Sequence, residues 1–199
     1  MGGHPSLFLG KSKNLGGISI PTMSFETIKS ELIFEGRVFK LRSDQVRLPN
    51  GQVTNLDIVV HGGAVVAVPV DADGIWFVRQ YRHAAGVELV ELPAGTIEVG
   101  EDLFECVQRE LREEIGMSAG TLEQIGSFYL APGYSTELLH IFIARDLSPA
   151  PLPGDIDEIL HAEKYSIEEA YEMAVQGIIQ DAKSLASLLL VQPLLIKKG

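Results

Sequence analysis

Residues 95–117 read GTIEVGEDLFECVQRELREEIGM. From Asp102 to Ile115 the apolar residues recur at helical spacing, with Leu103, Val107 and Leu111 at i, i+4 and i+8 beside Phe104 and Ile115, so a helix is expected here, stopped by Gly116. On a wheel of about 100° per residue with Glu110 at the origin, Leu103 falls near roughly 20°, Glu114 near 40°, Val107 near 60° and Leu111 near 100°, with Glu113 near −60°. Glu114 therefore lies inside the apolar stripe and Glu110 at its edge. A buried carboxylate is costly unless it is paired, and these acids crowd the helix end where the dipole disfavours negative charge. Arg109 and Arg112 stand at helical spacing to pair with them on a solvated face. The wheel, however, directs both arginines away from the stripe that holds Glu114. A hard divalent cation such as Mg²⁺ or Mn²⁺, bound by oxygens from two turns of one helix face, is the better compensation.

The rest of the chain bounds what such a helix serves. Its 199 residues, 46% of them hydrophobic, suffice for one domain with a small appendage, and no apolar run approaches the roughly 20 residues of a membrane span. A formal charge of −11 argues against binding nucleic acid through a broad basic surface. Cys106 is the single cysteine, which excludes an intramolecular disulfide and makes the cytoplasm the expected compartment. Residues 1–23 carry no sustained apolar stretch and read as a tail.

Residues 24–60 alternate as strands around the turn Leu48-Pro49-Asn50-Gly51, in which Asn50 and Gly51 are expected to supply positive φ angles, giving a small antiparallel unit. The runs 64–70 and 75–81 are apolar on both faces, which predicts strands of a sheet covered on both sides. Further strands are expected over 123–130 and 137–144. A loop marked by Pro149, Pro151, Pro153 and Gly154 leads to the acidic cluster Asp155, Asp157, Glu158. Ser166 and Glu169 form a capping box opening a helix to about Val175, and a last helix is expected from Asp181 to Val191, ended by Pro193. Without regular βαβ alternation, this is an α/β chain with a mixed sheet between helices rather than a doubly wound one.

The spacing of Gly95, Glu101, Arg109-Glu110-Leu111, Glu113-Glu114 and Gly116 resembles the Nudix box at every fixed position. That resemblance implies a Nudix fold, an α/β/α sandwich, over residues 61–199, and hydrolysis of a nucleoside diphosphate linked to another group. It implies metal ligation of Mg²⁺ or Mn²⁺ by Glu110, Glu113, Glu114 and the backbone carbonyl of Ala94. Gly95, Glu101, Arg109 and Gly116 would be structural, with Arg109 orienting a glutamate such as Glu101.

The flanks are similar to the ADP-ribose pyrophosphatase subfamily. Arg79-Gln80-Tyr81-Arg82 and Glu91-Leu92-Pro93-Ala94-Gly95 precede the box, and Ala131-Pro132-Gly133-Tyr134-Ser135-Thr136-Glu137 follows it. The resemblance implies substrate binding by Arg79, Arg82, Glu91, Pro132, Gly133 and Glu137, with the two arginines clamping diphosphate oxygens. It also implies a homodimer through residues 24–60. The subfamily pattern is broken at Asn55-Leu56 before Asp57, at Ala131 and at Gly62, which bears on how a nucleobase is gripped. The resemblance also implies that the base that activates water lies in the acidic cluster after the proline-rich loop, Glu158 first and Asp157 second, with Glu113 on the box helix as the fallback. His61, His83, His140 and His161 lack metal-ligand spacing and read as structural. The competing reading is a Nudix-fold module that senses a nucleotide sugar without cleaving it; the full set of box carboxylates favours the enzyme.

Overall fold

The computed structural model of the protein describes residues 24–154 and 159–196. Strands β1 (Glu26–Glu35), β2 (Lys40–Arg47) and β3 (Val53–Val60) form an antiparallel three-stranded sheet in that order. The β2–β3 turn is closed by Gly51 N–H donating to Leu48 O at 2.9 Å, and Gly51 is at φ 85°. Asn50 does not share that positive φ. Its side-chain oxygen instead accepts from Gln52 N at 3.0 Å, so one left-handed residue suffices where two were expected.

The second sheet contains β4 (Ala64–Asp71), β5 (Gly74–Arg82), β6 (Val87–Glu91), β7 (Ala94–Thr96), β8 (Met117–Tyr129), β9 (Leu138–Pro149) and β10 (Leu160–Tyr165). Its order is β10-β5-β4-β9-β8, with β6 paired to β5 and β7 to β4; β4 runs parallel to β9 and the other pairings are antiparallel. The mixed sheet is as expected, and β8 and β9 extend the two anticipated strands. β6, β7 and β10 were not anticipated, because short or polar-rich strands carry too little periodicity to stand out.

Alternation along β4 explains the layers. Val66 and Val68 point to one face, where α2 (Ile167–Val175) and α3 (Ala182–Leu195) cover them with Ala170, Ile179 just beyond α2, Leu188 and Val191. Val65 and Ala67 point to the other, where α1 (Leu103–Glu114) brings Cys106, Val107 and Leu111. Each fully buried Leu, Ile or Val contributes about 1.5–3 kcal/mol, so the sheet is held by both layers. This is the α/β/α sandwich.

α1 begins at the N-cap Asp102, whose side chain accepts from Phe104 N at 2.8 Å, and stops where Gly116 turns left-handed at φ 69°. Its register against the sheet is set by Gln108, which exchanges two hydrogen bonds, of 2.6 and 3.0 Å, with the backbone of Ala119. The capping box of Ser166 and Glu169 is present at the start of α2. Pro193, expected to end α3, lies inside it, and Ile196 N still donates to Gln192 O at 2.9 Å. The proline leaves the Leu189 carbonyl without its usual donor, and Leu189 is exposed, so water can serve it.

Gly74, where β5 starts, lies against the backbone of Tyr165 so closely that a Cβ would collide with its carbonyl. Gly74→Ala is expected to cost about 1–3 kcal/mol in urea unfolding. Gly62→Ala, whose Cβ would meet nothing nearer than Ile97 O at 3.8 Å, should stay within about 0.5 kcal/mol of the parent. Equal losses in the two would refute this account.

Candidate active site

The amphipathic period of α1 places Glu110 and Glu114 one turn apart on its buried side, each with 6% exposure, while Glu113 stands at the rim. The wheel's inference that the apolar stripe contains carboxylates is what the structure shows. The preceding segment answers them. Ala94 N donates to Glu114 Oε2 at 3.0 Å. Gly95 cradles the Glu110 carboxylate so closely that any Cβ would overlap it. A glycine is required there for close approach, not for an unusual φ.

Arg109 binds the loop to the helix. Its guanidinium pairs with both oxygens of Glu101 at 2.8 and 3.1 Å, and its Nη2 donates to Thr96 O at 3.2 Å. Nη1 donates to Glu110 Oε1 at 2.7 Å and Glu113 Oε2 at 3.1 Å. The wheel directed Arg109 away from the stripe, and it does not pair with Glu114 in these contacts, but its three-methylene stem carries the guanidinium back to Glu110 and Glu113. Arg112 does point away, donating to Ala150 O at 2.9 Å. The hydrogen bonds from Arg109 hold the Glu101 carboxyl down at about 2. Burial pushes the Cys106 thiol up, which makes it inert packing.

A cavity of about 300 Å³ opens beside these groups, lined by Arg37, Gly95, Thr96, Glu98, Glu110 and Glu113. Arg37 comes from the β1–β2 turn, far away in sequence, with no local signal to single it out. Among the described residues no three acidic, His or Cys side chains converge closely enough to hold a metal ion as they stand. The donor set nonetheless has the chemistry of a hard-cation site: three carboxylates on successive turns, with Arg109 already supplying positive charge between Glu110 and Glu113.

The arginines of the flanking motif separate. Residues 79 and 82 are an odd number apart on a regular strand, so their side chains leave opposite faces. Arg82 shares the α1 face, where it makes a bidentate pair with Glu91 at 2.8 and 2.7 Å. Arg79 lies on the α2/α3 face, pairing with Glu163 at 2.8 and 3.0 Å. The structure thus brings Arg82 to the box and leaves Arg79 behind the sheet. Glu91 is only 1% exposed and is also bonded by Lys183 from α3. Burial alone would raise its carboxyl, but the bonds from Arg82 and the charge of Lys183 outweigh it and hold it below its ordinary value.

Pro132, Gly133 and Glu137 lie in the β8–β9 loop, which is fastened to the end of β3: Val59 N donates to Tyr134 O at 2.8 Å, and Thr136 N to Val59 O at 3.0 Å. Tyr134 and Thr136 thus join the two sheets, and Pro132, Gly133 and Glu137 are not among the residues lining the cavity beside Glu110. Glu158 and Asp157 lie outside the described residues. The chain leading to them is placed: Leu152 N donates to Arg112 O at 3.0 Å, and a Cβ on Gly154 would stand 3.6 Å from Glu113 O. Among the residues that sequence reasoning did not single out, Lys183 and Gln80 stand out with Arg37. Gln80, on the same face as Arg82, is nine-tenths buried with its side-chain oxygen unpartnered.

The chain matches the NUDIX domain over residues 60–188 and the nucleoside diphosphate sugar hydrolase N-terminal domain over residues 25–55. It is 37% identical over 170 residues to the methanol dehydrogenase activator of Bacillus methanolicus, covering 84% of this chain and 92% of that protein. It is 39% identical over 175 residues to the ADP-ribose pyrophosphatase of Mycobacterium tuberculosis, covering 84% and 83%. Among solved structures, an ADP compounds hydrolase superposes with a TM-score of 0.77 at 24% identity, over 90% of this chain and 97% of the other, which supports the fold.

The depressed Glu101 carboxyl has a stability consequence. Its stabilisation is fully present above its ordinary value of 4.5 and is lost as pH falls toward about 2. In Glu101→Gln, the fall in urea midpoint between those two pH values should be shallower than in the parent. An unchanged slope would show that the Arg109 pairing does not stabilise the fold.

Proposed function

The chain belongs to the NUDIX family and is a Nudix hydrolase, and from the site described above we propose that it cleaves the pyrophosphate bond of ADP-ribose, giving AMP and ribose 5-phosphate, with Mg²⁺ or Mn²⁺ bound. The observation that carries this reading is the seating of Glu110 on Gly95 and of Glu114 on Ala94 N, with Glu113 beside them and Arg82 on the same side of the sheet. Glu110, Glu113, Glu114 and the Ala94 carbonyl would hold the metal. When bound, it would neutralise charge on the pyrophosphate and lower the pKa of a water.

The chain's own groups do the rest. Arg82, with its side chain 38% exposed, takes diphosphate oxygens while Glu91 fixes its plane. Pro132, Gly133 and Glu137 shape the substrate side of the junction with β3. Glu158, or failing it Asp157, accepts the proton of the attacking water, and Gly154 beside Glu113 O supports that placement. Glu113 is the next base to consider. The substrate reading draws on the nucleoside diphosphate sugar hydrolase match over 25–55 and on the ADP-ribose pyrophosphatase relative; another nucleoside diphosphate sugar is the nearest alternative. The single cysteine suits the cytoplasm, and among the described residues no helix is long and apolar enough to cross a membrane.

The functional unit in this reading is a homodimer through residues 24–60. The three-stranded sheet exposes Phe25, Ile28, Leu32, Ile33, Phe34 and Leu56, more apolar surface than so small a sheet keeps in water.

Three measurements test the proposal. Incubation of ADP-ribose with the metal should yield AMP and ribose 5-phosphate, and excess EDTA should abolish turnover; full turnover in EDTA would remove the metal from the reaction. Glu114→Gln should lose metal affinity and rate together, whereas Glu158→Gln should still bind Mn²⁺ and lose kcat by roughly 10²–10⁴-fold. Light scattering should give twice the chain mass, and Leu32→Glu with Phe34→Glu should shift it toward one chain; a fully active monomeric parent would exclude the dimer.

A further inference from the structure

The start of α3 is wired to the segment that seats the box carboxylates. Asp181, its N-cap, accepts from Ser184 N at 3.0 Å and from Ser184 Oγ at 2.5 Å. Ser184 Oγ, wholly buried, accepts in turn from Leu92 N at 2.7 Å. Lys183 pairs with Asp181 at 2.9 Å and bonds the Glu91 carboxylate. The next links are already part of the site: Pro93 O accepts from Ala67 N at 2.9 Å, Ala94 N donates to Glu114, and Gly95 carries Glu110. The α3 contacts are therefore continuous, through five consecutive residues, with the carboxylates of α1.

Charge shows what this wiring does. Arg82 and Lys183 face Glu91 and Asp181, two cations against two carboxylates. Glu91 is almost fully buried and needs compensation at all times. Arg82 alone would have to stay committed to it. With Lys183 also bonded, and buried to 12% exposure, Glu91 keeps a cation when the more exposed Arg82 is drawn toward an incoming anion. Without Lys183 the group carries an excess negative charge beside Glu114, and Arg82 is locked onto Glu91.

We propose that Lys183 is a positioning residue for hydrolysis: by holding Glu91 it frees Arg82 to bind the diphosphate. The proposal rests on the reading of the site as a diphosphate hydrolase. It assigns a role to a residue of the last helix, about ninety positions from the motif it serves.

The test uses steady-state kinetics with ADP-ribose and, independently of turnover, calorimetric binding of inorganic pyrophosphate to the metal-loaded protein. Lys183→Met should raise KM, and weaken pyrophosphate, by about tenfold while kcat moves less than about threefold. Lys183→Arg should return both to within about threefold of the parent. In a Glu91→Gln background Arg82 has no carboxylate to be locked onto, so adding Lys183→Met should change pyrophosphate affinity by less than about twofold. That double variant also has no buried unpaired carboxylate at 91, so it guards against a folding defect. An unchanged KM in Lys183→Met, or an equal tenfold loss in both backgrounds, would overturn the proposal, the latter by showing direct contact with the anion. Weakened pyrophosphate binding in a protein that fails to cleave ADP-ribose would sustain the role of Lys183 and remove only the substrate assignment.

Discussion

Two carboxylates on the buried side of one helix set the terms for everything around them. Glu110 and Glu114 cannot be left ionised against an apolar layer without compensation, and each neighbour of α1 supplies part of it. Gly95 gives up its side chain so that one carboxylate can approach the backbone, Ala94 gives its N–H to the other, and Arg109 spreads one guanidinium over Glu101, Glu110 and Glu113. The short strand β7 exists where it does because its residues must meet both β4 and the helix.

The sheet divides labour between its faces. The α1 face carries the box, Arg82 and Glu91, while the opposite face packs α2 and α3 over a continuous apolar layer and keeps Arg79 for a pair with Glu163. The connection between them runs around the β6 end, where Lys183 and Ser184 reach the Glu91–Leu92 segment. Rigidity at the site is therefore not local to the motif. It is inherited from a helix that buries Leu188 and Val191 on the far side of the core. The N-terminal sheet stands apart, fastened to the catalytic half by the β3 contacts of the 131–137 loop, with its own apolar surface uncovered.

What could be read from the sequence follows from locality. The helix expected over 102–115 and found over 103–114, its stop at Gly116 and the burial of two glutamates are all consequences of spacing within four turns. The capping box at Ser166 and the doubly apolar strand β4 are equally local. Locality also explains the misreadings. Pro193 reads as a helix end because the sequence shows its missing N–H but not that the carbonyl it leaves free lies at an exposed residue. The residue type of Asn50 permits a positive φ, but its side chain settles the turn another way.

By itself the sequence determined the box helix and its charge problem, since periodicity and residue chemistry act over a few neighbours. Only the tertiary structure decided which distant groups take part. Arg79 and Arg82 look alike in a motif; strand alternation separates them, and the packing of α1 on one face and of α2 and α3 on the other decides which of the two shares the face of the box. Lys183 carries no signal on its helix, because its meaning comes from Glu91, a residue brought beside it by the packing of α3 against β4 and the end of β6. Through-space electrostatics depends on distances between segments, and those distances are set by the burial of the core, which no single stretch of sequence contains.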